Sequence, residues 1–339
     1  MSLPRLSSLS QLAALADRLP VADAQAAEAA RARQNSLTKP PGSLGRLEQI
    51  AEFMASWRGT ARPEIWKAQA LVFAGNHGIC AQGVNPYPQE VTAQMVANFR
   101  TGGAAINQLC AVNGADLSVI ALELERPTRD FTEAPAMDEV ECLDALWQGA
   151  AAVDGSADIL VLGEMGIGNS TVAAALAAAC FGGPVAEWVG PGTGSDKAGL
   201  ARKVDAIERG LKRHAAALGN AGAVLAALGG REQAAICGAI LAARAERIPV
   251  ILDGFICTAA AAVLHAADRR LLDHCLVGHV SAEPGHRKLL AAIHKRPVLE
   301  FDMRLGEGSG AALALGIVRS ALACHNGMAT FGEAGVSEG

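Results

Sequence analysis

Short aliphatic runs that stop abruptly at small or charged residues constrain this chain most. Ala70–Ala74 stops before Gly75-Asn76-His77-Gly78, and Ile159–Leu162 before Gly163-Glu164. Val250–Leu252 stops before Asp253-Gly254, Leu276-Val277 before Gly278-His279, and Leu117–Leu122 is similar. None alternates polar with apolar residues, so each predicts a strand buried on both faces, and the Ala-rich stretches between them are long enough for crossover helices. The expectation is an α/β fold: a parallel sheet with helices on both faces. Ligands then bind beyond the carboxyl ends of the strands, where the Gly-rich and polar tips gather into one composite site.

Composition narrows the function. Of 339 residues, 51% are hydrophobic and 19% charged, enough for a packed core. Net charge is −5 and aromatics are 4%, which argues against a nucleic-acid partner. No apolar run reaches the ~20 residues of a membrane span, and the first residues lack the pattern of a signal peptide, so a cytoplasmic protein without a membrane partner is expected. The eight cysteines (80, 110, 142, 180, 237, 257, 275 and 324) are scattered singly, as expected of free thiols and not of a structural zinc site. Residues 8–36 read as one or two helices. The turn-rich Lys39-Pro40-Pro41-Gly42-Ser43-Leu44-Gly45-Arg46 then leads into a helix over 47–57. With the helical C-terminus from about 308 to 327, these are expected to form a small helical domain (1–60 and 308–339) beside a large α/β domain (61–307).

Four segments carry chemistry. Gly163-Glu164-Met165-Gly166-Ile167-Gly168-Asn169-Ser170-Thr171 nearly matches a nucleotide-phosphate loop, with Asn169 in place of its lysine. Glycine amides and a helix N-terminus there suit an anion, a monophosphate better than a triphosphate; a plain Asn/Ser-capped turn is the alternative. Gly190-Pro191-Gly192-Thr193-Gly194-Ser195-Asp196-Lys197 is a second anion-compatible turn, and Lys203 on the helix after it folds back toward the site or lies on a solvated face. Leu305-Gly306-Glu307-Gly308-Ser309-Gly310 puts one carboxylate between glycines, making Glu307 a candidate base, or else a carboxylate favoured by a helix dipole. Gly278-His279-Val280-Ser281-Ala282-Glu283-Pro284-Gly285-His286 has no nucleophile elbow, which disfavours a serine hydrolase; His279 and His77 read as hydrogen-bonding loop residues.

As a set these segments resemble the nicotinate-nucleotide–dimethylbenzimidazole phosphoribosyltransferases. The resemblance rests on Lys39–Glu48, Tyr87-Pro88-Gln89-Glu90-Val91-Thr92, Gly163–Thr171, Leu252–Phe255, Ser281-Ala282-Glu283 and Met303–Leu313, in the family's order along nearly the whole chain. It implies a Rossmann-like sheet, a homodimer, and transfer of phosphoribose from nicotinate mononucleotide to 5,6-dimethylbenzimidazole. The products are nicotinate and α-ribazole 5′-phosphate, used for the cobalamin lower ligand. It further implies Glu307 as general base with Glu164 and Lys203 in the site. Substrate binding is expected at Gly163, Gly166, Gly168, Asn169, Ser170, Thr171, Gly192, Gly194, Ser281, Tyr87, Gln94, Met95 and Leu305. No metal or redox cofactor is called for. The sequence departs from the family at Asn76, often Asp, and near the benzimidazole at Tyr87 and Met95, where some members carry Ser and Gln; here Gln94 precedes Met95. Those departures bear on base selectivity.

The chemistry suits the residues. Nicotinate leaves neutral at its ring nitrogen, so no strong acid is needed, and positive charge develops on the ribose beside carboxylates such as Glu164. The incoming benzimidazole must lose an N–H proton, which a hydrogen-bonded carboxylate takes. Two other classes fit less well. A nucleotide sensor does not explain Glu307, and a dinucleotide oxidoreductase lacks the G-x-G-x-x-G fingerprint with its downstream acid.

Overall fold

A computed structural model describes residues 3–337; the extreme ends of the 1–60 and 308–339 segments lie outside them. The strands are β1 (Ala68–Ala74), β2 (Ala115–Ala121), β3 (Ile159–Met165), β4 (Val250–Leu252), β5 (Cys275–Val280) and β6 (Pro297–Glu300). They form one all-parallel sheet in the order β2-β1-β3-β4-β5-β6, as the aliphatic runs predicted, except that β2, expected to be buried on both faces, is an edge strand whose residues are half buried or exposed. β6 is the strand that the sequence did not announce: it opens on proline and its residues are only half buried or exposed, the marks of an edge strand.

Before β1 come α1 (Ala24–Ser36) and α2 (Arg46–Arg58); α3 (Glu90–Arg100) and α4 (Ala105–Asn113) join β1 to β2. α5 (Glu139–Ala151) leads to β3, and α6 (Asn169–Phe181), α7 (Lys197–Arg213), α8 (Ala221–Leu228) and α9 (Arg231–Ala245) lead to β4. α10 (Phe255–Ala267), α11 (Pro284–Ala292), α12 (Ser309–Gly327) and α13 (Phe331–Ala334) complete the chain. Of the one or two helices expected over 8–36, the regular part begins only at Ala24; Leu9 and Leu15 sit in short 3₁₀ turns, with Leu12 between them and Leu19 just after.

Strand residues alternate between two cores. Leu71, Phe73, Leu160, Leu162, Val250, Leu252 and Val277 face α5, α6, α8, α9 and α10, together with Leu9, Leu12 and Leu15. Ala68, Ala70, Val72, Ile159, Val161 and Ile251 face α2, α4 and α12. The two chain ends meet, with Arg33 donating to the carbonyls of His325, Asn326 and Met328. Every residue of α9 is buried. Its Arg231 is matched by Glu123 and Glu141, and its Arg244 lies 4.9 Å over the Trp57 ring and donates to the Pro20 carbonyl.

From β1 the chain passes to one side to make β2 and then to the other to make β3, so the topological switch point lies between β1 and β3. Gly75-Asn76-His77 and Glu164-Met165-Gly166 emerge there.

The α5–α9 crossing generates the first prediction. A Cβ on Gly149 would overlap the Ala235 carbonyl, and one on Gly238 the Leu146 carbonyl. Helix propensity favours alanine by ~1 kcal/mol, but backbone against backbone cannot yield as a flexible side chain does. Gly149→Ala should therefore lower stability by about 1–3 kcal/mol in urea unfolding; a more stable variant would show that the two helices are not in contact there.

Candidate active site

The cleft lies at the carboxyl ends of β3, β4 and β5, enclosing about 760 Å³ with its open mouth included, a size suited to a nucleotide. Its phosphate side is built at the start of α6. Gly168 precedes that helix at φ +92°, and no side chain caps it; the Asn169 and Thr171 amides turn back to the carbonyls of Gly166 (3.2 Å) and Gly168 (3.0 Å), which leaves the amide of Ser170, a cleft-lining residue, for an anion. The Asn169 side chain, a possible cap on sequence grounds, instead donates to Glu164 Oε2. Lys203 reaches in from α7, 3% exposed, and its ammonium donates to Ser170 Oγ (3.2 Å) and the Gly190 carbonyl (3.0 Å). Burial lowers its pKa, and Glu283 opposes that shift. Gly192 closes the corner, since a Cβ there would stand 2.7 Å from Ser170 Oγ and 3.1 Å from the Lys203 ammonium. The Gly192 amide donates to Glu283 Oε1 at 2.9 Å.

The opposite wall is acidic. Glu164, on the last turn of β3, is 4% exposed and its pKa is raised well above the ordinary value. Burial is the chief cause, followed by repulsion from Asp253 and Glu232, with Glu307 also adding; the Asn169 hydrogen bond opposes them. Asp253, at the tip of β4, accepts from the amides of Gly308 (3.1 Å) and Ala311 (2.9 Å), so it caps α12. Its pKa is raised by burial, against the lowering effects of His279 and of the Ala311, Gly308 and Gly310 amides.

Glu307 lies at φ +66° between Gly306 at +85° and Gly308 at +87°, three left-handed residues in a row. That conformation folds the loop onto β3: a Cβ on Gly163 would sit 2.5 Å from the Glu307 carbonyl oxygen, and one on Gly306 would sit 2.6 Å from Glu164 Oε1. The glycines therefore hold two carboxylates at one place, which a helix dipole alone would not require. Burial raises the Glu307 pKa; the Ile106 amide, in the first turn of α4, opposes this and Asp253 adds to it. Its Oε2 has no partner. Glu307 lines a second, more apolar cavity with Tyr87, Val91, Met95, Met165, Ile167 and Leu305.

The structure thus brings Glu164, Lys203, Gly166, Gly168, Asn169, Ser170 and Ser281 to the first cavity, Glu307, Tyr87 and Met95 to the second, and Gly192 and Leu305 to both. Gly163 and Thr171 line neither; Thr171 is fully buried and Gly163 serves as the seat of the Glu307 loop. Gly194 is exposed outside both linings. Gln94 is also misplaced: it is exposed on α3 while Met95 faces the cavity, because neighbouring helix residues point about 100° apart. Asn76 donates to the Leu124 carbonyl at 3.0 Å, a bond that an ionised aspartate could not donate.

Sequence reasoning undervalued Asp253, read as a strand terminator, as well as Glu283, Asn85 and Arg304. An acid at a strand tip was the available signal for Asp253. His77 and His279 were expected to hydrogen-bond, but their ring nitrogens make no hydrogen bond within the described chain. His77 Nε2 instead lies 3.0 Å from Glu232 Oε1, and His279 Nε2 3.6 Å from Asp253 Oδ1. His286 behaves as a structural histidine. Burial pushes its pKa down to about 3, so the ring is neutral; its Nδ1 accepts from the Ser281 amide (2.8 Å), which leaves Nε2–H for Thr258 (3.1 Å). Among the described residues no cluster of His, Cys, Asp or Glu could hold a metal ion, and no helix is long and apolar enough to cross a membrane.

A helix start with a free amide, Lys203 and Ser170, across the cleft from carboxylates that favour a cation, is what an enzyme transferring a phosphorylated sugar requires. Comparison with known proteins agrees. A family described as Phosphoribosyltransferase matches residues 19–336. The chain is 65% identical over 335 residues to the nicotinate-nucleotide–dimethylbenzimidazole phosphoribosyltransferase of Rhodobacter capsulatus, covering 98% of this chain and 99% of the relative. It is 60% identical to the protein of the same name from Novosphingobium aromaticivorans, covering 99% of both. The crystal structure of CobT from Thermus thermophilus, 42% identical, superposes with a TM-score of 0.88 over 93% of this chain and 100% of that one. The chain belongs to the family of nicotinate-nucleotide–dimethylbenzimidazole phosphoribosyltransferases.

The acidic wall generates a second prediction. Raising the folded-state pKa of Glu164 penalises its ionised form, so the penalty is absent below the unfolded-state value of 4.5 and grows as pH rises through the folded value. Glu164→Gln should raise the melting temperature by about 1–4 °C near pH 8, and the gain should shrink as pH is lowered toward about 5. A variant no more stable than the parent near pH 8 would contradict the penalty that burial, and after it the neighbouring carboxylates, impose on ionised Glu164.

Proposed function

We propose that the enzyme transfers phosphoribose from nicotinate mononucleotide to 5,6-dimethylbenzimidazole or a closely related base, giving α-ribazole 5′-phosphate and nicotinate, as part of building the cobalamin lower ligand. The observation that carries this reading is Glu307. It is a buried carboxylate with one unpartnered oxygen, held beside Glu164 and facing a cavity of Tyr87, Val91, Met95 and Leu305 that suits an aromatic base.

In this mechanism the 5′-phosphate sits at the start of α6, on the free amide of Ser170 and beside Lys203, and fixes the ribose in register. The C1′–N bond to the pyridinium breaks, and its electron pair returns to the ring nitrogen, so nicotinate leaves without a proton. Glu164 and Asp253 face the positive charge spreading over C1′ and the ring oxygen. The bare nitrogen of the benzimidazole attacks C1′ from the opposite face, which accounts for the α configuration with a single inversion and no covalent enzyme intermediate. The other ring nitrogen gives its proton to Glu307. A raised pKa makes that carboxylate a stronger proton acceptor, provided it is ionised.

Glu307→Gln should lower kcat about 10²- to 10⁴-fold and leave the nicotinate mononucleotide Kd within about threefold, an allowance well under the ~1.4 kcal/mol of a tenfold change. Turnover close to the parent would remove Glu307 as the base. The acid limb of kcat against pH should also fall at a pH above the usual value of 4.5, in keeping with the raised Glu307 pKa, and a limb at or below that value would contradict the assignment. Nicotinate mononucleotide with each of several benzimidazoles, followed by nicotinate release, tests both the reaction and the acceptor. If the nucleotide is not consumed in the presence of any of them, the reaction is wrong.

A further inference from the structure

Only two Lys or Arg side chains line the two cavities, Lys203 and Arg304. Lys203 is buried at the α6 N-terminus, committed to Ser170 and the Gly190 carbonyl. Arg304 is different. It belongs to both linings, it is exposed, and one guanidinium nitrogen donates to the Gly192 carbonyl at 2.9 Å. Its other guanidinium N–H groups have no partner among the described residues and remain free to bind a ligand.

Nicotinate mononucleotide carries two separate anionic groups, the phosphate and the ring carboxylate. The remaining ionisable groups on these walls, apart from Tyr87 and His279, are the carboxylates Glu164, Asp253, Glu283 and Glu307, so a ring carboxylate entering without a cation would be repelled. The leaving ring and the incoming base must both reach C1′, which places the leaving ring at the junction of the two cavities, where Arg304 stands. A planar guanidinium with free N–H groups matches a carboxylate in two parallel hydrogen bonds. We propose that Arg304 binds the carboxylate of the nicotinate ring and thereby selects the acid nucleotide over its nicotinamide counterpart. This rests on the reaction proposed above.

Competitive inhibition of the full-length enzyme by nicotinate, nicotinamide and ribose 5-phosphate, supported by direct binding of each, provides the test. Arg304→Met should weaken nicotinate about 10- to 100-fold, as expected for loss of a charge-assisted pair, while nicotinamide and ribose 5-phosphate stay within about twofold. Arg304→Lys, which keeps the charge but not the fork, should recover part of the nicotinate loss. Equal weakening of nicotinate and nicotinamide would reduce Arg304 to a strut for the Gly192 loop and overturn the proposal. Loss of ribose 5-phosphate affinity in step with nicotinate would make Arg304 a phosphate ligand instead, and unchanged nicotinate affinity would remove it from recognition altogether. The binding arm needs no benzimidazole and no turnover, so failure of the parent enzyme to transfer phosphoribose would be recognised separately.

Discussion

The site depends on carboxylates buried close together at the carboxyl ends of the sheet, where loss of water first and repulsion second oppose the ionised forms of Glu164 and Glu307. Glu164, Asp253 and Glu307 share one wall, with Glu232 behind them, and among the described residues no Lys or Arg is hydrogen-bonded to any of the four. Glu164, Asp253 and Glu307 resist full ionisation together. It is relieved by a cation, and the pyridinium ring of the substrate, followed by the charge that develops on the ribose, is a cation delivered only when the reaction is ready to occur. Stability given up in the empty cleft becomes preference for the charged transition state.

The fold maintains this repulsion by spending backbone on it. Asp253 is tied to the first amides of α12, and those same residues follow the left-handed turn that carries Glu307. One helix start therefore sets the spacing of two acids. Glycines at 163 and 306 allow that turn to settle directly on β3. On the other side of the cleft Lys203 and Ser170 meet over Gly192, and Glu283 holds the Gly192 amide, which separates the anion-binding corner from the acidic wall.

The sheet was legible because its inner strands are continuous aliphatic runs, and their tips marked the site. β6 was not, since an edge strand of four residues with a leading proline carries no such run. Glycine-flanked loops and family resemblance pointed to Glu307, Glu164 and Lys203, and all three line the cavities. Asp253 and Arg304 gave weaker signals: an acid that ends a strand and an arginine in a loop look the same in sequence whether or not the fold turns them to a ligand. Gln94 was misjudged because a one-residue step on a helix reverses solvent and cavity, and nothing in the local sequence fixes the rotation of α3. The histidines differ for another reason. His279, read as a loop residue, lies within β5, and the placing of both rings next to Glu232 and Asp253 is set by the packing of α9 and β4, which the local sequence does not show.

The most direct test of the acidic wall is the proton balance of substrate binding. Calorimetry of nicotinate mononucleotide binding in buffers of different ionisation enthalpy, at about pH 7.5 where a phosphate with its second pKa near 6 is already largely dianionic, counts the protons released. If the repelled carboxylates hold protons that the pyridinium displaces, binding releases a substantial fraction of a proton, and Glu164→Gln diminishes that release. Binding with no net proton exchange in the parent enzyme would mean that Glu164, Asp253 and Glu307 sit ionised and at ease in the free enzyme, and the account built on their burial and repulsion would fail.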